Sequence, residues 1–312
     1  MIVPLVSVII PTFNGLSRGF LLEALESVLA QTCRDFELIL VDDGSTDDIQ
    51  AGCARFLKDP RIRIVRQENR GLSGARQAGI DVAGGKYIAL LDDDDRWAPG
   101  KLAAQVAFLE SRSDPQAGMV FCGVRLIDAK GNVIGARRKE ASGNMRRRFV
   151  INGNGVTAPS AVLFKRSLVE KAGNFDPLMR SLEDLDMWLR VSRHTHIYSM
   201  PALLADYRLH GDTITAKNFS REEEYEAKLY ERVIGEEPGV DPVLIRRNMF
   251  KRFGIRHMSL GNYRLAAEAL ARSLALRFSW EAALLRAACF LPPASLDGVK
   301  KIRQASRCKE LS

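Results

Sequence analysis

Apolar positions along the first two thirds of the chain come in short runs separated by polar turns. LVSVII (5–10), FELILV (36–41), RIRIV (61–65) and KYIALL (86–91) are too short for helices and rich in β-branched residues, so they predict buried strands. PTFNG after the first run predicts a loop. Between the runs, residues 20–31 place Leu21, Leu25, Val28 and Leu29 on one helical face. Asp47 and Asp48 favour a helix N-terminus, and residues 72–83 predict a helix ended by Gly84-Gly85. MVFCGVRLI (119–127) and AVLF (161–164) predict two further strands. The intervening segment 136–148 carries Arg137, Arg138, Lys139, Arg146, Arg147 and Arg148 and reads as a mobile, basic loop. Past about residue 215 the strand pattern stops, and 221–234 and 243–288 read as helical. GNYRLAAEALARSLAL (261–276) is similar to half of a helical hairpin repeat, but one copy makes no repeat array.

Strands alternating with helices imply an α/β fold with right-handed crossovers and a mixed, mostly parallel, Rossmann-like sheet flanked by helices. An α-helical C-terminal extension follows, which divides the chain into residues 1–218 and 219–312. In such sheets ligands sit at the carboxyl ends of the strands. Pro11, Thr12 and Phe13, then Asp42 and Asp43, then Asp92, Asp93, Asp94 and Asp95 all follow predicted strands directly. They should therefore meet at one sheet edge.

Composition narrows the picture. The chain has 312 residues, 46% apolar and 27% charged, which excludes a disordered protein and allows a sizeable core. The net charge of +8 raises nucleic acid, anionic lipid and phosphorylated substrates as partners. Its distribution weakens the first: residues 1–100 hold 11 basic and 15 acidic residues, so the excess lies downstream. Segment 136–148 has only Phe149 beside it as an aromatic, a poor match to a nucleic-acid surface. MIVPLVSVII lacks the basic start and cleavage site of a signal peptide, and no clean apolar run reaches membrane-spanning length. Five widely spaced Cys without a CxxC argue against disulfides and structural zinc, so a reducing, cytoplasmic compartment is expected.

Four consecutive Asp after an apolar strand repel one another unless something compensates them. A divalent cation held by carboxylates and completed by substrate phosphates does so; a solvated acidic loop is the alternative. Asp43 could accept hydrogen bonds from a ribose or base, or close an Asx-turn. Phe13 could stack on a base or pack in the core. Arg76, on a helix of small residues, could reach a base or phosphate, or lie on the surface. Glu183, Asp184 and Asp186 open an apolar helical stretch, as helix-end charges or as a general base in a cleft. His210 stands between Arg208 and Asp212.

VSVIIPTFN (6–14), DFELILVDDGSTDD (35–48), NRGLSGARQAGI (69–80), YIALLDDDDRW (87–97), EDLDMWLR (183–190) and YRLHGDTIT (207–215), in this order, resemble the family 2 glycosyltransferases, of GT-A fold. The resemblance spans residues 5–215. It implies transfer of a sugar from a nucleotide diphosphate donor, commonly a UDP-sugar, with inversion and with Mn²⁺ or Mg²⁺. It implies nucleotide-binding roles for Pro11, Thr12, Phe13, Asp43, Arg76, Asp92 and Asp93. Asn14, Asp42, Asp95 and Glu183 are secondary candidates. Asp94 and His210 become the metal residues and Asp184 the catalytic base. Asp93 departs from the family pattern, which often has a small residue there.

A sugar nucleotidyltransferase would also pair carboxylates with metal and nucleotide, but its basic, glycine-rich N-terminal signature is missing. A non-catalytic nucleotide-sugar binding module would have lost the metal or base positions, which are present. The expected acceptor is a glycan or lipid-linked hydroxyl, as in polysaccharide or cell-surface glycoconjugate synthesis. Residues 242–312 hold 14 basic and 4 acidic residues. They suggest peripheral contact with the anionic inner face of a membrane, or else a solvated appendage or homo-oligomer surface.

Overall fold

The computed structural model describes residues 3–210, 219–237 and 239–290, without the side chains of 219–221. The chain divides into two compact units: Met1–Phe149 with Asn154–Glu222, and Val150–Gly153 with Glu223–Ser312.

In the first unit, strand β1 (Val6–Thr12) leads to helices α1 (Gly15–Arg18) and α2 (Phe20–Leu29). Strand β2 (Phe36–Asp42), helix α3 (Ile49–Gly52), strand β3 (Ile62–Arg66), helix α4 (Gly71–Asp81) and strand β4 (Tyr87–Leu90) complete the alternating part. Strand β5 (Arg96–Trp97), helix α5 (Lys101–Glu110), strands β6 (Ala117–Ile127) and β7 (Val133–Arg137) and helix α6 (Arg146–Asn152), whose residues from Val150 on count with the second unit, follow. A 3-10 turn (Pro159–Ala161), strand β8 (Val162–Lys165), helices α7 (Ser167–Ala172) and α8 (Glu183–Val191) and strand β9 (His196–Arg208) close the unit.

Among the described residues the strands form one mixed nine-stranded sheet, ordered β3-β2-β1-β4-β8-β6-β9-β5 with β7 against β6. Strands β1 to β4 are parallel where they pair, and β6 runs parallel to β9 from Ala117↔His196 to Ile127↔Arg208. Strand β8 is antiparallel to both β4 and β6. The expected mixed, mostly parallel sheet with flanking helices is present. β1 is buried on both faces and β2 nearly so, which removes any alternation. Gly79 of α4 lets that helix approach the sheet: a Cβ there would lie 2.5 Å from Ile9 Cγ2 and 3.1 Å from Val41 Cγ2.

Three expectations need correction. Pro11 and Thr12 continue β1 instead of starting a loop, paired with Val41 and Asp42 of β2. The β4 ladder has already ended at Ile9↔Leu90, so the missing N–H of Pro11 costs nothing on that side. Segment 136–148 is not a structureless loop. Its start belongs to β7, its end begins α6, and its cations bind carbonyl oxygens: Arg138 to Pro201 at 3.0 Å and Arg148 to Glu140 at 2.9 Å. Strands β5, β7 and β9 have no counterpart in the predicted elements.

Helix α9 (Phe219–Glu236) belongs to the second unit from Glu223 on, and helices α10 (Pro242–Ser259), α11 (Tyr263–Leu276) and α12 (Trp280–Ala288) follow in that unit. The helical stretch expected over 243–288 is thus three helices. Asp241 caps α10 with Pro242 at its first turn, Gly261 turns the chain at φ 78°, and Ser279 caps α12. Leu270, Ala282 and Leu285 form a small core with Ile255, Met258, Leu274 and Cys289 around it. Among the described residues no helix is long and apolar enough to cross a membrane. Cys33, Cys53, Cys122 and Cys289 are free thiols. Asp212 and residues 291–312 of the basic C-terminal region lie outside the described residues.

Candidate active site at the carboxyl edge of the sheet

The parallel strands deliver their polar ends to one edge. Asp43 directly follows β2, and its carboxylate accepts the backbone N–H groups of Arg70 and Gly71 at 2.8 Å each and Gln67 Nε2 at 2.7 Å. It therefore fastens the N-terminus of α4 to the end of β2. Asp42 accepts Ser45 N–H at 2.9 Å and pairs with Arg66 at 3.0 Å. Asn14 sits in the left-handed region at φ 54°, a conformation Asn tolerates. Its side-chain oxygen accepts Thr46 N–H at 2.8 Å and ties the β1 loop to the β2 loop. Phe13 lies beside it with 47% of its surface exposed, so its ring is open to a ligand rather than spent in the core.

The four Asp after β4 separate into different environments. Asp93 is buried; it accepts the Thr12 hydroxyl at 2.6 Å and pairs with Arg18 at 2.8 Å. Burial pushes its carboxyl up to about 6, against Arg18 and Thr12. Asp95 is buried too, accepting Ser160 Oγ at 2.6 Å and Arg208 N–H at 2.9 Å. Burial, then Asp94 and Asp92, hold its carboxyl well above the ordinary range. Both residues are thus structural ties of the turn. Asp92 and Asp94 point elsewhere. Asp94 Oδ2 meets His210 Nε2 at 2.9 Å, and burial and the Asp92 charge raise its pKa against the pull of His210. The His210 ring is fixed against Phe20, with centroids 5.3 Å apart. Arg208 braces the same turn, donating Nε to the Asp94 carbonyl at 2.8 Å and pairing with Glu23 at 2.7 Å.

Arg76 is fully buried on α4. Its Nη2 meets Asp92 Oδ1 and its Nη1 meets Glu183 Oε1, each at 2.6 Å. Burial opposes its charge, but the Asp92 and Glu183 carboxylates outweigh burial and hold its pKa above the ordinary value. One guanidinium therefore joins the Asp cluster after β4 to the first residue of α8. Glu183 is raised by burial, with Arg76 opposing and Asp184 adding to the rise. The neighbouring Asp184 accepts Asn154 Nδ2 at 2.7 Å and lines a cavity of about 170 Å³. Leu182, just before α8, takes φ 59°, so the backbone turns sharply to present the Glu183-Asp184 pair.

Arg18, Glu23, Asn154 and Ser160 belong to this network and carry no recognisable sequence signal. Among the described residues no group of three or more His, Cys, Asp and Glu stands close enough to cage a metal. The Asp94–His210 pair offers one carboxylate oxygen and one imidazole nitrogen.

The glycosyl transferase family 2 model matches residues 7–173. An uncharacterized glycosyltransferase of Rickettsia prowazekii, RP339, is 31% identical over 72% of this chain and 70% of its own length. The putative teichuronic acid biosynthesis glycosyltransferase TuaG of Bacillus subtilis is 32% identical over 69% of this chain and 83% of its own. The crystal structure of S. aureus TarS 1-349 in complex with UDP-GlcNAc has a TM-score of 0.64 at 15% identity, covering 87% of this chain and 81% of that one. The sheet, the strand-end carboxylates and these likenesses agree: the chain belongs to glycosyl transferase family 2 and is a glycosyltransferase.

Proposed function

We propose that the chain is an inverting transferase that moves a sugar from a nucleotide diphosphate donor, a UDP-sugar, to a hydroxyl of a glycan or lipid-linked acceptor. The observation that carries this reading is Arg76, which joins Asp92 on the donor side to Glu183 beside Asp184. Donor-binding carboxylates and a candidate base are thereby held in one site. The UDP-GlcNAc complex of TarS supports a UDP-sugar, and TuaG supports an acceptor in polysaccharide synthesis.

In this reading exposed Phe13 stacks on the base. Asp43 and Asp42 hold the loops that receive the nucleoside, with Pro11, Thr12 and Asn14 shaping its floor. Asp94 and His210 fit a Mn²⁺ or Mg²⁺ ion. Such ions need only one or two protein carboxylates and take donor phosphates for the rest, and the raised Asp94 carboxyl marks charge that a cation would relieve. When bound, the ion would offset charge on the departing diphosphate. Asp184 takes the proton from the acceptor hydroxyl as it attacks, with Asn154 orienting the carboxylate. Glu183 is held by Arg76 through Oε1 and in this reading anchors the first turn of α8, leaving the proton transfer to Asp184. A single displacement inverts the anomeric centre and needs no protein nucleophile.

The test is a panel of nucleotide sugars in thermal shift with Mn²⁺, followed by donor turnover. One UDP-sugar should shift the melting temperature selectively, and Asp94→Ala should abolish metal-dependent release of UDP. Turnover that persists without metal would overturn the role given to Asp94 and His210.

A further inference from the structure

The cavity beside Asp184 has a second chemical feature. Within the first unit it is lined by Arg137, Lys139, Asn154, Thr157, Asp184 and Tyr207, among others. Arg137 donates Nη1 to the Thr157 carbonyl at 3.0 Å, and its guanidinium lies 5.3 Å from the centre of the Tyr207 ring. Lys139 Nζ donates to the carbonyls of Asn154 at 2.8 Å and Val156 at 2.7 Å. A carbonyl and an aromatic face orient the Arg137 guanidinium without cancelling its charge, and most of its five N–H donors remain for a ligand. Among the described residues no carboxylate forms an ion pair with it. Phe13, Asp43, Asp94 and His210 are not among its lining residues.

The volume of about 170 Å³ is below the roughly 300–1,000 Å³ of sites that swallow a whole small molecule. It suits one residue of a longer acceptor. A neutral sugar has no need of a guanidinium, whereas a carboxylate or phosphate matches its fork in two parallel hydrogen bonds. The charge of Asp184 repels an anion and so directs it to the Arg137 wall, leaving a hydroxyl for Asp184.

We propose that this cavity is the acceptor subsite and that it takes a sugar residue bearing an oxyanion, a uronate or a sugar phosphate, selected by Arg137. The assignment rests on the reading of Asp184 as the base. The test measures binding alone, by ligand-observed NMR titration of the full chain at low salt. The probes are a methyl uronide, the matching neutral methyl hexoside, the matching hexose phosphate and inorganic phosphate. At least one charged sugar should bind about tenfold or more tightly than the neutral one, and Arg137→Gln should erase that difference. The uronide and phosphate arms name the oxyanion. Equal affinity for charged and neutral sugars in the wild-type chain overturns the proposal, even where the variant does not fold. Competitive displacement of the charged sugar by UDP also overturns it, because the cavity would then belong to the donor. Failure of the transferase reading has a different signature: no product from any donor, with the preference for charged sugars intact.

Discussion

Replacing Arg76 with Met keeps an unbranched apolar stem and removes the guanidinium with its charge. The wild-type guanidinium is fully buried and makes two contacts of 2.6 Å, to Asp92 and Glu183, whose side chains are 21% and 12% exposed. Removing one partner of a buried ion pair costs roughly 3–5 kcal/mol, because the other charge is left uncompensated. Here two carboxylates are stranded, but both retain some access to water, and burial already raises Glu183. The expected loss is therefore about 3 kcal/mol at neutral pH. It should shrink toward pH 5, where Glu183, already raised by burial, protonates more readily once Arg76 is gone. Urea unfolding at several pH values measures this, and a double-mutant cycle with Glu183→Gln isolates the contact. We expect a coupling of about 1–3 kcal/mol. A loss below about 1 kcal/mol, unchanged with pH and uncoupled from Glu183, would refute the view that Arg76 holds the two halves of the site together.

Three further outcomes follow from single contacts. Thr12→Val removes the 2.6 Å hydroxyl contact to buried Asp93 and should cost about 1–3 kcal/mol in chemical denaturation; no change would mean that Arg18 alone satisfies Asp93. Gly79→Ala forces a methyl group against Ile9 and Val41 and should cost about 1–3 kcal/mol, whereas a neutral result would show that α4 can lift from the sheet. Lys101 is buried, and desolvation lowers its pKa to about 8. The unfolded chain therefore holds this proton more tightly, and stability should rise with pH between about 8 and 10.5 relative to Lys101→Met, by up to about 3 kcal/mol. Parallel stability–pH curves for the two proteins would contradict it.

The strand ends were legible because chemistry and hydrophobic pattern coincide there: a buried apolar run stops and Asp begins. Strand β9 was not, for a definite reason. Its pairing with β6 shifts register near Ala117 and on both sides of Gly123, and Pro201 lies within it, so no single alternation survives. Arg76 reads in sequence as a lone Arg among small residues. Those small residues are what bring α4 close to the sheet and bury it between two carboxylates 16 and 107 positions away in the chain. No local pattern reports such distances. Arg137, Arg138 and Arg148 read as mobile in sequence because the partners they find are backbone carbonyls, which leave no trace in side-chain composition.

The central claim is that Asp184 takes the acceptor proton at a site whose donor half is built separately by the strand ends. Single-turnover transfer by Asp184→Asn, measured beside donor affinity from calorimetry, tests it directly. Donor affinity should stay within about threefold of wild type while the transfer rate falls by about 10²–10⁴-fold, the range a general base supplies. Transfer at the wild-type rate, or a loss explained wholly by weaker donor binding, would contradict it.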